Sequence, residues 1–196
     1  MNYSELVAEV YLITNRPDRI SETASAIKSA TLKMHNSDFY SKDIYETGVQ
    51  FDTSAFRQSL DYIDLIPNYR ALKYFRIVTG ATDDAGRFIT IITPTEVLDS
   101  YGRTRNDIGY VAGRVLNINS ATTFQYALMG AYVNPIVRAE AYSSWVAEQF
   151  PYAIIHEAAR QVYTATGQME EAQGQARLML EQLAELKQSA LSDVGY

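Results

Sequence analysis

Residues 123–133 read TFQYALMGAYV and run into Asn134-Pro135. Phe124, Tyr126, Leu128 and Tyr132 alternate with Thr123, Gln125, Ala127, Met129 and Ala131, the two-residue period of a strand. One face is aromatic and the other small, so the spacing predicts a strand covered on both sides. Beyond Pro135 the period lengthens. Residues 142–149 (YSSWVAEQ) read as a turn or two of helix, and Pro151 stands where a first-turn proline belongs. Ile154, Ile155, Ala158, Val162 and Tyr163 form the buried stripe of the next helix, with Gly167 as its left-handed cap. Met169, Ala172, Ala176, Met179, Leu183, Leu186 and Ala190 then recur at alternating three- and four-residue steps. That seam predicts a helix over 168–190 packed on the one before it.

Upstream of residue 123 the chain stays rich in Tyr, Thr, Ile, Val and Phe. Residues 48–51 and 55–62 read as short strands joined by a turn at Asp52-Thr53-Ser54. Residues 71–78 read as a strand, with a helical reading left open. Residues 80–86 (GATDDAG) read as a loop, 88–93 as a buried strand ended by Pro94, and 95–101 as a short helix capped by Thr95. Residues 102–107 (GRTRND) read as a basic loop, and 107–112 and 114–119 as a pair around Gly113. The N-terminus is helical: Tyr3, Leu6, Val7, Val10 and Ile13 share one face, and Ile20, Ala24, Ile27, Ala30 and Met34 give a second helix over 17–36. Strands and helices do not alternate, so the fold class is α+β: a helical bundle formed by the N- and C-terminal helices with an inserted β-rich block. The expected boundaries are 1–44 with 136–190 for the bundle, 45–135 for the insertion, and 191–196 for a C-terminal tail.

The 196 residues include no Cys, 2 His, 15 Tyr, 17 Lys and Arg, and 23 Asp and Glu, for a net charge of −6. Without Cys there is no disulfide framework, thiol nucleophile or Cys-ligated metal. The acidic balance argues against a chain built to grip nucleic acid. No apolar run reaches the roughly 18–20 residues of a membrane span, and Met1–Glu5 resembles no signal peptide. Residues 140–196 hold 3 basic and 8 acidic residues, most of the excess charge. The Tyr content reads either as interface chemistry or as sheet filling.

Catalytic motifs are scarce. In His156-Glu157-Ala158-Ala159-Arg160 an Arg stands where a zinc helix needs its second His. There is no nucleophile elbow and no phosphate loop. The acid pairs Asp61/Asp64, Asp83/Asp84 and Glu96/Asp99 have the spacing a glycosidase needs, but 23 acidic residues produce such pairs by chance. No catalytic residue, metal or cofactor is expected.

The whole pattern resembles a known family. Asn15-Arg16-Pro17-Asp18, the second helix ending His35-Asn36-Ser37-Asp38-Phe39-Tyr40, and Lys42-Asp43 are similar to the start of head-to-tail adaptor proteins of tailed double-stranded-DNA phages, nearest to those of short-tailed phages. Tyr69–Tyr74, Glu96–Gly102, Tyr110–Gly113 and the stretch from Trp145 to Ala153 carry the same likeness. The resemblance implies a non-enzymatic ring, usually of twelve copies, between the portal protein and the tail nozzle or tube. Its place is the neck of the virion, after assembly in the host bacterial cytoplasm. It implies a portal-docking tail, which by position involves Leu186, Lys187, Leu191, Val194 and Tyr196, and tail-side loops with Asp83, Asp84, Arg87, Arg103 and Arg105. A conduit for DNA, passed without sequence-specific binding, should make few phosphate contacts. Glu170, Glu171, Glu181 and Glu185 are therefore the candidate channel-facing acids. The alternatives are another neck protein (a head-completion or tail-terminator ring) and a carboxylate-based cell-wall glycoside hydrolase.

Overall fold

The structure is a computed structural model that describes residues 1–78 and 86–192, the side chains of 191 and 192 excepted. The expectations for Asp83, Asp84, Val194, Tyr196 and the Leu191 side chain lie outside the described residues, as does most of the 80–86 loop. The chain divides into two compact units, Met1–Asp43 with Asn134–Tyr196, and Ile44–Val133.

The first unit is helical. Helix α1 (Tyr3–Thr14) opens with a capping box between Asn2 and Glu5 and closes on Asn15 in the left-handed region (φ 50°). Helix α2 (Ile20–His35) starts three residues later than its apolar spacing suggests, because Arg19 donates its backbone N–H to the Arg16 carbonyl and residues 16–19 form a turn. The β-rich unit contributes α3 (Tyr62–Leu65); the chain then returns through α4 (Trp145–Gln149), α5 (Pro151–Ala165) and α6 (Met169–Ser192). Helix α5 is central: α1, α2, α4 and α6 all pack on it. Its Ala153, Ile154, Ile155, Ala158 and Ala159 are wholly buried. Each large apolar side chain so buried contributes roughly 1.5–3 kcal/mol. The α6 seam faces this core at Ala172, Met179 and Leu186, whereas Met169 at its start is exposed.

The second unit contains β1 (Ile44–Asp61), β2 (Tyr69–Val78), β3 (Gly86–Ile92), β4 (Ile108–Ala112) and β5 (Val115–Val133). Strand β5 pairs antiparallel with β4 through its first half and with β2 through its second. Strand β3 is antiparallel to β2 and parallel to β4. The circuit β5–β2–β3–β4 therefore closes into a four-stranded barrel, and β1 lies outside it, paired only with β5 among the described residues. The expected helical bundle with an inserted β-rich block is corrected accordingly: among the described residues the α+β chain has six α-helices and a closed four-stranded barrel, and it is not a simple helical bundle. One long strand pairing with two others along its length closes the sheet, which a series of short hairpins would have left open.

Three local expectations change for physical reasons. Residues 52–54 are not a hairpin turn, since β1 keeps β5 as its partner on either side of them. They are an irregularity in one strand, answered by a second in β5 between Asn119 and Phe124. Such paired bulges bend strands at barrel corners. The buried side of β5 stays on Leu116, Ile118, Ser120 and Phe124 through that irregularity and changes between Phe124 and Ala127, to Ala127, Met129 and Ala131, so Tyr126 and Leu128 face away from the core. The polar groups freed at the corner are answered. Gln58 Nε2 donates to the carbonyls of Thr53 (2.6 Å) and Phe124 (3.3 Å), and Asp107 accepts the N–H of Ala121 (3.0 Å). Third, the helix expected over 95–101 is a single 3-10 turn, Pro94–Glu96, held by a Thr93–Glu96 capping box.

Candidate functional site

The two described acid pairs, Asp61/Asp64 and Glu96/Asp99, are structural clasps. Asp61 and Asp64 both hold Arg114, at 3.3 and 2.6 Å. Glu96 accepts the N–H and O–H of Thr93, and those bonds keep its carboxyl below the usual range. Asp99 accepts the N–H groups of Tyr101 (2.9 Å) and Arg103 (2.8 Å).

His156 bonds Gln175 Oε1 at 2.7 Å. Its neighbour Glu157 is 1% exposed and bonded to Arg160 (2.7 Å) and Lys33 (3.0 Å), joining α2 to α5. Burial alone would raise the Glu157 pKa, but hydrogen bonds from Arg160, Gln161 and Lys33 outweigh it and hold the carboxyl at about 2.

One constellation escaped the sequence reading. His35 Nδ1 lies 2.7 Å from Asp43 Oδ1, and its Nε2 lies 2.9 Å from Ser144 Oγ. The distances are those of a Ser–His–Asp relay. The Ser144 hydroxyl, however, accepts the Ala147 N–H (3.1 Å) as the cap of α4, and the Trp145 indole N–H donates to the same Asp43 oxygen (2.7 Å). All three relay residues are buried. The group therefore fastens α2, the end of the first helical segment and α4 together, and its buried serine serves as the cap of α4. Spacings of 8 and 109 residues left no pattern to read.

The residues expected at partner contacts have varied settings. Leu186 is fully buried in the helical core, and Lys187 beside it is half-buried. Glu170, Glu171, Glu181 and Glu185 are all exposed on α6. Arg87 is a strut within the barrel unit, bonded to Ser120 Oγ (2.7 Å), Thr122 Oγ1 (3.2 Å) and Asp107 (3.0 Å). Arg103 and Arg105 sit on an exposed hairpin. In it the Asp99 N–H donates to the Arg103 carbonyl (2.8 Å), the Arg105 N–H to that of Val97 (2.9 Å), and Gly102 turns the chain at φ 73°. At its tip Tyr101 is 87% exposed.

Around the same unit Tyr45, Phe56 and Phe88 are also exposed, and β1 offers an outer edge that no described strand covers. The outer face near that edge has one filled and one unfilled position. A Cβ on Gly130 would collide with the ring of Tyr74, which crosses from β2 to bond Glu46 on β1. Burial and the Glu46 carboxylate push the Tyr74 phenol up to about 12. At Gly48 nothing lies within 4 Å of such a Cβ, and a slot of about 220 Å³ opens there, rimmed by Gln50, Val78, Tyr126 and Leu128.

Among the described residues no group of His, Asp and Glu is placed to hold a metal ion, and no helix is long and apolar enough to cross a membrane. No protein-family model matches the chain, and no curated protein matches it.

Proposed function

We propose that this chain is a structural ring subunit of a phage neck, a head-to-tail adaptor between the portal and the tail nozzle or tube. The observation that carries the reading is the outer edge of β1, an 18-residue strand that no further described strand covers, in a unit that also exposes Tyr45, Phe56, Phe88 and Tyr101. Proteins that work alone shield such edges, and aromatic side chains are what recurring interfaces use. The helical unit also exposes Leu12, Ile20 and Phe39, apolar surface for a second partner. A ring needs unlike patches that meet head to tail.

The chemistry supports an inert role. The described acid pairs, Asp61/Asp64 and Glu96/Asp99, are bound to arginines or backbone, and the His35 relay is sealed. The exposed Glu170, Glu171, Glu181 and Glu185 suit a wall past which DNA slides, because on that stretch of α6 four carboxylates outnumber the single exposed cation, Arg177. In this reading α6 turns that face to the bore.

The test is co-expression of the full chain with the portal protein of the same phage. The expected product is a particle heavier than the portal alone that holds this chain in a fixed ratio and appears as a ring in electron micrographs. A portal that purifies without it, under conditions where the chain is folded, would contradict the proposal.

A further inference from the structure

The barrel unit carries a knob and a slot that a single copy has no means of joining. The knob is Tyr101, presented by a hairpin that Asp99 holds rigid. The slot is the unfilled space over Gly48. They belong to different places. The hairpin base, Val97 and Thr104, lines a cleft with Arg57–Ser59 and Asn117–Asn119, whereas the slot lies beside Tyr126–Leu128. Along β5 that is a separation on the order of 20–25 Å.

We infer that Tyr101 of one copy seats in the Gly48 slot of a neighbouring copy, and that this contact links subunits head to tail. Three observations converge. The first is a precedent in the molecule itself: Gly130, on the same face, is covered by the aromatic ring of Tyr74 reaching from the adjacent strand. Among the described residues Gly48 lacks such a cover, since no described strand lies beyond β1. A glycine gap in a sheet is filled well by a neighbouring aromatic ring. Second, charge agrees. Arg103 and Arg105 flank the knob, and Glu46 and Asp52 flank the slot along β1, with Arg76 on β2 across Leu128, so on the β1 side opposite signs meet when the ring enters. Third, the surfaces differ, so the contact is heterologous and propagates to a closed ring or an open filament. The inference deepens the ring reading and rests on it for closure alone.

The experiment incorporates a photoreactive aromatic at the knob, Tyr101→p-benzoylphenylalanine, in the full chain. The labelled protein is mixed with isotopically heavy wild type, with and without the portal, and irradiated; adducts are mapped by mass spectrometry. The expected result is light-to-heavy adducts confined to residues 46–50 and 126–128. Filling the slot in the heavy copy with Gly48→Trp, where a side chain has open space, should lower their yield about tenfold or more. Adducts elsewhere, no adducts at high concentration, or a yield unmoved by Gly48→Trp would overturn the contact. Rings that assemble on the portal without these adducts would sink the contact and leave the ring reading standing. Adducts at the slot in open chains that never close would do the reverse.

Discussion

The two units bury polarity in opposite ways. Of the eight buried polar residues among those described, Thr14, Thr23, Thr31, His35, Asp43, Ser144 and Glu157 belong to the helical unit, and Ser120 to the barrel. The helical unit is bound internally by bonds that demand one arrangement of α2, α4 and α5. The barrel has an apolar interior, keeps its arginine and carboxylate struts near the surface, and leaves one strand edge and several aromatic rings open. A unit specified from within is complete by itself; one with an open edge is suited to completion by neighbours. Substitutions should separate the two, with large stability losses in the helical unit and small ones on the barrel exterior.

The largest loss is expected at Asp43. Asp43→Ala strips an acceptor from both His35 and Trp145 inside the core, and should cost about 3–5 kcal/mol in denaturant unfolding. A loss under about 1 kcal/mol would erase the contrast. Next comes acid. Glu157 has its carboxyl lowered from 4.5 to about 2, so its contribution is complete above about pH 4.5 and fades as pH falls toward 2. The shift corresponds to about 3 kcal/mol. Glu157→Gln should remove that share of the acid dependence, read as a flatter curve of stability against pH. Within the barrel, Gly130→Ala drives a methyl group into Tyr74 and should cost about 1–3 kcal/mol. Gly48→Ala, on the same face, should stay within about 0.5 kcal/mol. Equal effects at the two glycines would mean that the slot is not open. Smallest of all, Asp61→Asn or Asp64→Asn each removes one exposed partner of Arg114, worth less than about 1 kcal/mol. Either change should leave assembly on the portal intact.

The helices were legible because one apolar stripe at 3.6-residue spacing is all they require. The α6 seam stood in the sequence almost as it packs, apart from Met169 at its frayed start. The strands were legible as segments and not as a barrel. Residues 123–133 alternate without interruption, yet the buried side changes within them, between Phe124 and Ala127, and that change leaves no mark on an alternating pattern. The break at Asp52–Ser54 was visible; that it interrupts one strand rather than joining two depends on β5, which is distant in sequence. Arg103 and Arg105 stood out by charge. Tyr101 and Gly48 gave no signal as a pair, because exposure and an empty slot are properties of packing.

The most direct test compares side-chain reactivity to hydroxyl radicals in the free chain and in the portal-bound particle. Tyr101, Phe88 and Phe56 should react readily when free and become protected on assembly, while buried Phe75 and Met129 stay unreactive in both. A particle in which the three exposed rings remain as reactive as in the free chain would contradict the assignment of the barrel exterior to assembly.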